Sequence, residues 1–435
     1  MDGNDALLLA RTQFGLNIGF HILFPSLTIA LAWYLVYFRA QYARTGDETW
    51  LATYRLWTKV FALSFAMGVV SGIVMSFQFG TNWPGFMNRV GNVAGPLLAF
   101  EVLTAFFLEA TFLGVMMFGM NRVPGWMHLA ATVLVAAGTT LSAFWILALN
   151  SWMHTPAGQV MAAGQIIAGD WAAVIFNPSF PYRFTHMMLA SGLTASFVLA
   201  GLSAWRLLKT PGDAAALRTL RTGIVVAAVL APAQIVAGDL HGLNTLAHQP
   251  AKIAAIEALW KTEKGAPLVL FALPNETTRR NDFAIEVPKG AALILKHDPG
   301  GELQGLDAFE PDRPQVAPLF FLFRVMVGVG VAMLLLSWLA AWRLRGGAQP
   351  ARWLLWSFAA FTFSGWIATL AGWIVTEMGR QPWLVTGVLR TSEAVGRVGE
   401  AQLGASFTGY LATYALMLVA YMVVITHLAG KGALR

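Results

Sequence analysis

The sequence contains no cysteine and few charged residues, and each shortage excludes a class of protein. Without cysteine, the chain forms no disulfides, no cysteine-bound iron–sulfur clusters and no thiolate ligand to haem. Only 12% of its 435 residues are charged whereas 57% are hydrophobic, and the mean hydropathy is +0.60. This balance indicates a polytopic membrane protein. We expect no nucleic-acid partner, because the net charge of +7 follows membrane topology.

Nine apolar runs are each long enough to cross a bilayer, which takes roughly 20 residues. We place them approximately at 15–38, 56–79, 95–119, 127–150, 185–207, 221–240, 319–342, 353–376 and 405–428. Lys and Arg are concentrated in alternate short loops, so the positive-inside rule puts the N-terminus outside and the C-terminus in the cytoplasm. The start of the chain lacks a basic stretch and a cleavage site, so we expect no removable signal peptide. The predicted fold class is all-α.

One connection, residues 241–318, is long, polar and rich in proline, and the predicted topology places it outside. It divides the chain into 1–240, 241–318 and 319–435. Within it, the stretch QPAKIAAIEALW (Gln249–Trp260) predicts a short amphipathic helix at the membrane surface. Lys252 and Glu257 lie there beside aromatic residues, a combination that suits deprotonation of a quinol hydroxyl. The alternative is a solvated surface helix.

Two of the eight histidines, His21 and His186, lie toward the outer ends of apolar helices. A neutral imidazole is a common axial haem ligand, although a hydrogen-bonded packing residue is the alternative for each. In the seventh run, Met326 could complete a low-spin His186/Met326 haem, or it could simply fill space. Arg324 needs an anion in this apolar setting, and a haem propionate would provide one. We assign four other histidines to external loops: His154, His241, His248 and His297.

The third run contains two carboxylates, Glu101 and Glu109, separated by about 12 Å along a helix. Buried carboxylates in a membrane helix predict a haem ligand or a proton relay, unless both are simply neutralised by protonation. On the next run, His128 and Ser142 could extend such a relay inward. Ordinary polar packing is the alternative for these two residues.

The eighth run ends in TEMGRQPW, Thr376–Trp383, where Glu377 and Arg380 lie at the membrane boundary. Glu377 could bind iron or pair with Arg380, and Trp373 lies one turn earlier. Gly379 and Pro382 break the helix, so backbone groups can turn toward a cofactor. A helix-capping ion pair is the alternative.

Taken in order, these motifs resemble subunit I of the cytochrome bd-type quinol oxidases over essentially the whole chain. The matching stretches are GLNIGFHILFPSLTIALAW, FLEATF, THMMLASG, QPAKIAAIEALW, FRVMVG and GRQPW. The resemblance implies two four-helix bundles plus one peripheral helix. The short external segment resembles the short quinol-loop branch, which includes the cyanide-insensitive oxidases.

The resemblance also implies a role for each matched residue. His186 and Met326 correspond to the ligands of a low-spin haem b, with Arg324 and Trp373 beside the haems. The ligands of the remaining two haems correspond to His21, Glu377 and Glu101, without a division between the haems. Arg380 belongs to the cofactor-binding set. Glu109, His128 and Ser142 correspond to a proton pathway, and Lys252 and Glu257 to the quinol site.

The implied cofactors are two haem b, one low-spin and one high-spin, and one haem d or a third haem b. The implied substrates are ubiquinol or menaquinol and O2, and the implied location is the bacterial cytoplasmic (inner) membrane. The implied partners are a second integral membrane subunit and a very small single-helix subunit. Two other classes stay open from the residues alone: a quinone-linked electron-transfer cytochrome, and a secondary transporter with Glu101, Glu109 and Arg324 on an ion path.

Overall fold

The computed structural model describes residues 3–162 and 164–430, and within these ranges nine helices are long and apolar enough to span a membrane. Their bounds are Gly3–Thr45, Glu48–Thr81, Pro84–Phe118, Gly125–His154, Phe180–Lys209, Ala214–His248, Val316–Arg343, Arg352–Met378 and Glu400–Gly430. The prediction of an all-α fold with nine spans is therefore confirmed. Most helices continue past the apolar runs, because helical hydrogen bonding does not stop where hydropathy falls.

The spans are arranged as two four-helix bundles and one peripheral helix. Spans one to four pack together, spans five to eight form the second bundle, and the ninth packs mainly against the first span. The bundles meet where the first span packs against the fifth, which is the most buried of the nine. Within the second bundle, small residues let the fifth span pack closely on the eighth: a Cβ on Gly201 would lie 2.7 Å from Phe358 O, and one on Gly365 would lie 2.6 Å from Thr194 Cα.

Two spans that the sequence predicts to be continuous are interrupted. The third consists of Pro84–Phe100, a π-helical turn at Glu101–Phe106, and Phe107–Phe118. The eighth consists of Arg352–Ala360 and Ser364–Met378, with a turn between them. The turn lies at the close approach to Gly201 and includes Thr362, whose hydroxyl donates to Ala359 O. π-Helical turns are frequent at functional sites, and the first residue of this one is Glu101.

The segment that joins the sixth and seventh spans is folded over one end of the second bundle, which we call the loop end. It contains the helix Pro250–Ile256, the hairpin Leu268–Asn275 with Arg280–Val287, and the helix Gly290–Lys296. The segment also contains the short strand pair Glu263–Lys264 with Glu302–Leu303. Two further short pairs lie in other connections: Gln159–Ala162 with Gln165–Ala168, and Trp383–Val385 with Leu389–Arg390. The helix Pro250–Ile256 packs beneath the hairpin and against the start of the seventh span. The alternative of a solvated surface helix is therefore wrong.

Candidate functional site

His21 in the first span faces the second span. Its Nδ1 lies 3.1 Å from Gly68 O and 3.0 Å from Ser71 Oγ. A carbonyl at this nitrogen favours the Nδ1–H tautomer, which leaves Nε2 with the lone pair that a metal ligand needs. A Cβ on Gly72 would lie 3.1 Å from His21 Cε1, so the glycine leaves room beside the ring. Trp373 lies near Gly19, two residues before His21.

His186 in the fifth span faces the sixth. The amide of Gln234 donates to its Nε2 at 3.1 Å, whereas its Nδ1 is buried without a hydrogen-bond partner among the described residues. A Cβ on Gly238 would lie 3.3 Å from the ring. The ring of His241 lies 5.5 Å away, in the sixth span and not in an external loop, so that part of the sequence-based assignment is wrong.

Met326 and Arg324 face different neighbours of the seventh span. The sulfur of Met326 faces the eighth span at Gly372, where a Cβ would lie 2.5 Å from Sδ. Arg324 is turned toward the loop segment: its guanidinium donates to Val269 O and, at 2.9 Å, to Ile256 O. It also lies 3.5 Å from Glu257 Oε2. In this structure the anion beside Arg324 is a protein carboxylate.

The carboxylates of the third span lie against the fourth. The hydroxyl of Ser142 donates to Glu101 Oε1 at 2.7 Å. Glu109 is buried, and its Oε1 has no partner among the described residues. Helix packing is tight here, because a Cβ on Gly138 would lie 2.6 Å from Glu109 Cγ. Glu101, Glu109 and Ser142, which the sequence predicts as candidates for one relay, thus lie at one helix interface.

His128 is fully buried but lies elsewhere on the fourth span, about 21 Å along the helix from Ser142. Arg39 Nε donates to its Nδ1 at 3.2 Å, and its Nε2 donates to Met116 O at 3.1 Å. Both ring nitrogens therefore have partners. The structure does not bring His128 into contact with either Glu101 or Glu109.

Glu377 is the centre of a polar network at the loop end. Asn150 Nδ2 donates to its Oε1 at 2.8 Å, and Arg380 Nη2 donates to its Oε2 at 2.5 Å. His154 Nε2 lies 3.5 Å from Oε1. His154 is the last residue of the fourth helix and is buried, so its sequence-based assignment to an external loop is wrong.

The short loop helix joins this network through Lys252. Its Nζ donates to Gln249 Oε1 at 2.9 Å and lies 3.2 Å from His154 Nδ1. Lys252 and Glu257 are not paired, since Glu257 faces Arg324. Burial lowers the pKa of Lys252 well below its ordinary value, and the charges of Arg183 and Arg380 lower it further. Burial raises the pKa of Glu257, although Arg324 opposes the rise.

Cations outnumber anions in this buried network. Arg183, Lys252 and Arg380 are all buried, and the carboxylate among them is Glu377. Arg183 Nε and both Nε and Nη1 of Arg380 have no partner among the described residues. Buried guanidinium groups normally pair with anions, so this site fits a ligand that presents carboxylate groups.

The sequence did not indicate several members of the network: Asn150, His154, Arg183 and Gln249. Asn150 and His154 are four residues apart and therefore share a helix face. The sequence shows this pattern only if the fourth helix is extended past its apolar run. No group of three or more His, Asp or Glu side chains suited to a bare metal ion occurs in the described part of the chain. Single, dispersed ligands are what haem iron requires.

Comparisons with known proteins agree on one family. A family model described as cytochrome bd terminal oxidase subunit I matches residues 9–433. The chain is 32% identical to cytochrome bd-II ubiquinol oxidase subunit 1 of Escherichia coli (strain K12), over 98% of this chain and 97% of that protein. It is 32% identical to cytochrome bd ubiquinol oxidase subunit 1 of Bacillus subtilis (strain 168), over 89% and 86% respectively. A solved structure of bd oxidase from Geobacillus thermodenitrificans matches with a TM-score of 0.91 and 29% identity, covering 98% of this chain and 99% of the other.

Proposed function

The chain belongs to the cytochrome bd terminal oxidase subunit I family, and on that premise we propose that it is the haem-bearing subunit of a quinol oxidase. The reaction oxidises two quinols to quinones and reduces one O2 to two waters. Family membership disfavours both a simple electron-transfer cytochrome and a secondary transporter. The observation on which the proposal most depends is the buried cationic network beside Glu377, because it matches a prosthetic group that is itself acidic.

The residues of the site fit haem. His186 and Met326 would hold the low-spin haem b, since both lie in the second bundle beside glycines that leave room around them. His21, Glu101 and Glu377 would bind the other two haems, one haem b and one haem d or a third haem b. Arg183 and Arg380 offer unpaired donors to haem propionates. When bound, the haems would supply electron transfer and the reduction of oxygen.

Quinol would bind at the loop helix, beside Lys252 and Glu257. Burial raises the pKa of Glu257, so its carboxylate is a stronger base than it is in water, and burial lowers the pKa of Lys252. Glu257 is our first choice of base, because Arg324 stabilises its ionised form. Lys252 would orient the second hydroxyl of the quinol.

Protons for oxygen reduction would reach the haem pair through Glu109 and Glu101. The Ser142 hydroxyl holds Glu101, and the unpartnered oxygen of Glu109 faces the same interface. His128 would act at the far end of this route. Because its ring nitrogens contact Arg39 and Met116 O, it would need water to pass a proton toward Glu109.

We place the loop end on the outer side of the bacterial inner membrane, following the distribution of Lys and Arg. Quinol protons would then leave outside while oxygen is reduced with cytoplasmic protons, so a proton-motive force arises without pumping. A second integral membrane subunit would complete the enzyme, with a very small single-helix subunit as a further candidate. The quinol would be ubiquinol or menaquinol.

The proposal is tested by reduced-minus-oxidised optical spectra of the purified complex before and after carbon monoxide, with haem extraction. We expect low-spin haem b bands and a separate species that binds carbon monoxide. The Met326→Leu variant should lose the low-spin bands and keep the carbon monoxide response, and His21→Ala should do the reverse. A well-folded complex without haem would refute the proposal, and haem b that ignores carbon monoxide would favour an electron-transfer cytochrome.

A further inference from the structure

The hairpin of the loop segment has an apolar face that nothing in the described chain covers. Its inner side contributes Val269 and Ala272 to the core above the loop helix. Six of its other apolar side chains are 44% to 80% exposed: Leu270, Phe271, Leu273, Phe283, Ile285 and Val287. Antiparallel sheets of water-facing proteins show the opposite pattern, with polar residues outward. An exposed apolar patch of this kind marks an interaction surface.

Phe283 shows that the exposure is built into the backbone. It lies at the irregularity in the hairpin where the register slips between Phe271 and Leu273. Its φ is +55°, a left-handed conformation that is unfavourable for a bulky residue and natural for glycine. A phenylalanine that is 80% exposed at such a position satisfies neither its backbone preference nor its hydrophobicity. Such strain is typical of functional positions.

The patch is continuous with the lipid-facing surface of the spans. The strand Leu268–Asn275 packs on the start of the seventh span, and the helix Gly290–Lys296 packs on the end of the sixth. On those two spans, Leu240 and Val325 are 48% and 42% exposed. The helix Gly290–Lys296 adds exposed apolar side chains of its own, Leu293 and Ile294.

Exposed lysines lie beside the patch. Lys289 begins the turn between the hairpin and the helix Gly290–Lys296, and Lys296 ends that helix. An apolar surface next to cations is the pattern of elements that lie in a membrane interface, where lysine ammonium groups meet lipid phosphates.

We propose that the outer face of this hairpin is inserted into the headgroup region of the bilayer on the loop side. The surface of the hairpin is then a lipid-binding surface, and its strained Phe283 is the deepest anchor. Because Val269 O of the same hairpin is bound by Arg324, which also faces Glu257, the anchor fixes the depth of the quinol site. A lipid-soluble quinol could then reach Glu257 from within the bilayer. This last step rests on the proposed function, whereas the insertion itself does not.

Spin labelling tests the insertion. Because this chain contains no cysteine, a label can attach in it only at an introduced cysteine. Single variants Phe283→Cys and Ile285→Cys are labelled with a nitroxide in the complete complex in phosphatidylcholine–phosphatidylglycerol vesicles, with the unsubstituted complex as background. Relaxation by O2, which concentrates in lipid, is compared with relaxation by a water-soluble nickel chelate. Val236→Cys on the lipid-facing sixth span and Glu302→Cys on an exposed strand of the same loop serve as references.

If the hairpin is inserted, labels at 283 and 285 should be relaxed more strongly by O2 than by the nickel chelate, as at 236. The label at 302 should be relaxed more strongly by the nickel chelate. A response like that at 302 would place the hairpin in water and overturn the proposal. Protection from both reagents would mean that a protein covers the patch, which also overturns it. Either result can be obtained whether or not the complex oxidises quinol.

The link to the quinol site has a separate measurement. The double variant Phe283→Ser/Ile285→Ser, which replaces only exposed side chains, should raise KM for a long-tailed quinol by about tenfold. KM for a short-chain, water-soluble quinol and kcat for both should not change. Equal increases for both quinols would contradict a role in access from the bilayer, even if insertion is observed.

Discussion

Replacing Arg324 distinguishes two roles that the sequence and the structure assign to it. The sequence predicts a partner for a haem propionate, whereas the structure turns the guanidinium toward Val269 O, Ile256 O and Glu257. We expect Arg324→Ala to loosen the hairpin and the loop helix and to leave the buried carboxylate of Glu257 without its cation. Quinol oxidation should therefore suffer before haem content does.

The size of the effect follows from the hydrogen bonds and the ion pair that Arg324→Ala removes. Hydrogen bonds from a charged donor contribute about 1.5–3 kcal/mol each, and breaking a buried ion pair costs about 3–5 kcal/mol. These contributions overlap, and the Arg324 side chain is 19% exposed, so we expect a total of about 2–4 kcal/mol. At about 1.4 kcal/mol per factor of ten, kcat/KM for quinol should fall by about 30-fold to 1,000-fold. The decrease for Arg324→Lys should be smaller than that for Arg324→Ala but still measurable, because one ammonium group cannot reach both carbonyl oxygens.

The assay combines steady-state quinol oxidation with hydrogen exchange of residues 250–275 and the midpoint potential of the low-spin haem. Arg343→Ala is the matched control, because Arg343 lies on the same helix and stacks on Trp342 away from the site. Faster exchange in the loop with a nearly unchanged potential would support the role of Arg324 in holding the loop. A large shift in potential with unchanged exchange would refute that role and favour the propionate.

Four further predictions concern the other parts of the site. Because burial raises the pKa of Glu257 and only its ionised form accepts a proton, quinol oxidation should rise with pH through that pKa, and Glu257→Gln should remove this limb from the pH profile of kcat/KM. The raised pKa also means that protonation of Glu257 stabilises the folded state. This contribution to the free energy of unfolding is complete below the ordinary carboxyl pKa and is lost as pH rises through the raised pKa, which thermal unfolding at several pH values would detect. Ser142→Ala removes the hydrogen bond to Glu101 and should slow O2 consumption by about tenfold at unchanged haem content. Gly372→Ala places a Cβ 2.5 Å from Met326 Sδ and should weaken the low-spin haem bands, whereas alanine at Gly328, where a Cβ meets nothing within 4 Å, should not.

The spans could be predicted from the sequence because each is a long apolar run, and crossing a bilayer requires little else. The interruption of the eighth span could not, because it depends on a neighbour. Gly201 is far away in sequence, yet it brings the fifth helix so close that the eighth turns at Thr362. The π-helical turn at Glu101 likewise leaves no local pattern in an otherwise apolar helix.

Among the site residues, the sequence indicates those whose chemistry is rare in their surroundings. A histidine or a pair of carboxylates in an apolar run is conspicuous, and the structure places Glu101, Glu109 and Ser142 at one helix interface. The sequence-based assignment failed for His154, because hydropathy falls at Asn150 although the helix continues to His154. Burial there is supplied by the loop helix, which covers the end of the fourth span through Gln249 and Lys252. A residue buried by a distant segment has no local sign of burial.

The charge of the network around Glu377 explains why this covering by the loop helix matters. Arg183, Lys252 and Arg380 would repel one another strongly if they were all charged in a dry site with Glu377 alone to balance them. Lys252 can reduce this repulsion by losing its proton, which the two arginines cannot do. A ligand that brings acid groups to Arg183 and Arg380 would offset this repulsion and favour the charged form of Lys252. Binding of such a ligand and protonation of Lys252 are therefore coupled, so the proton affinity of Lys252 depends on what Arg183 and Arg380 bind.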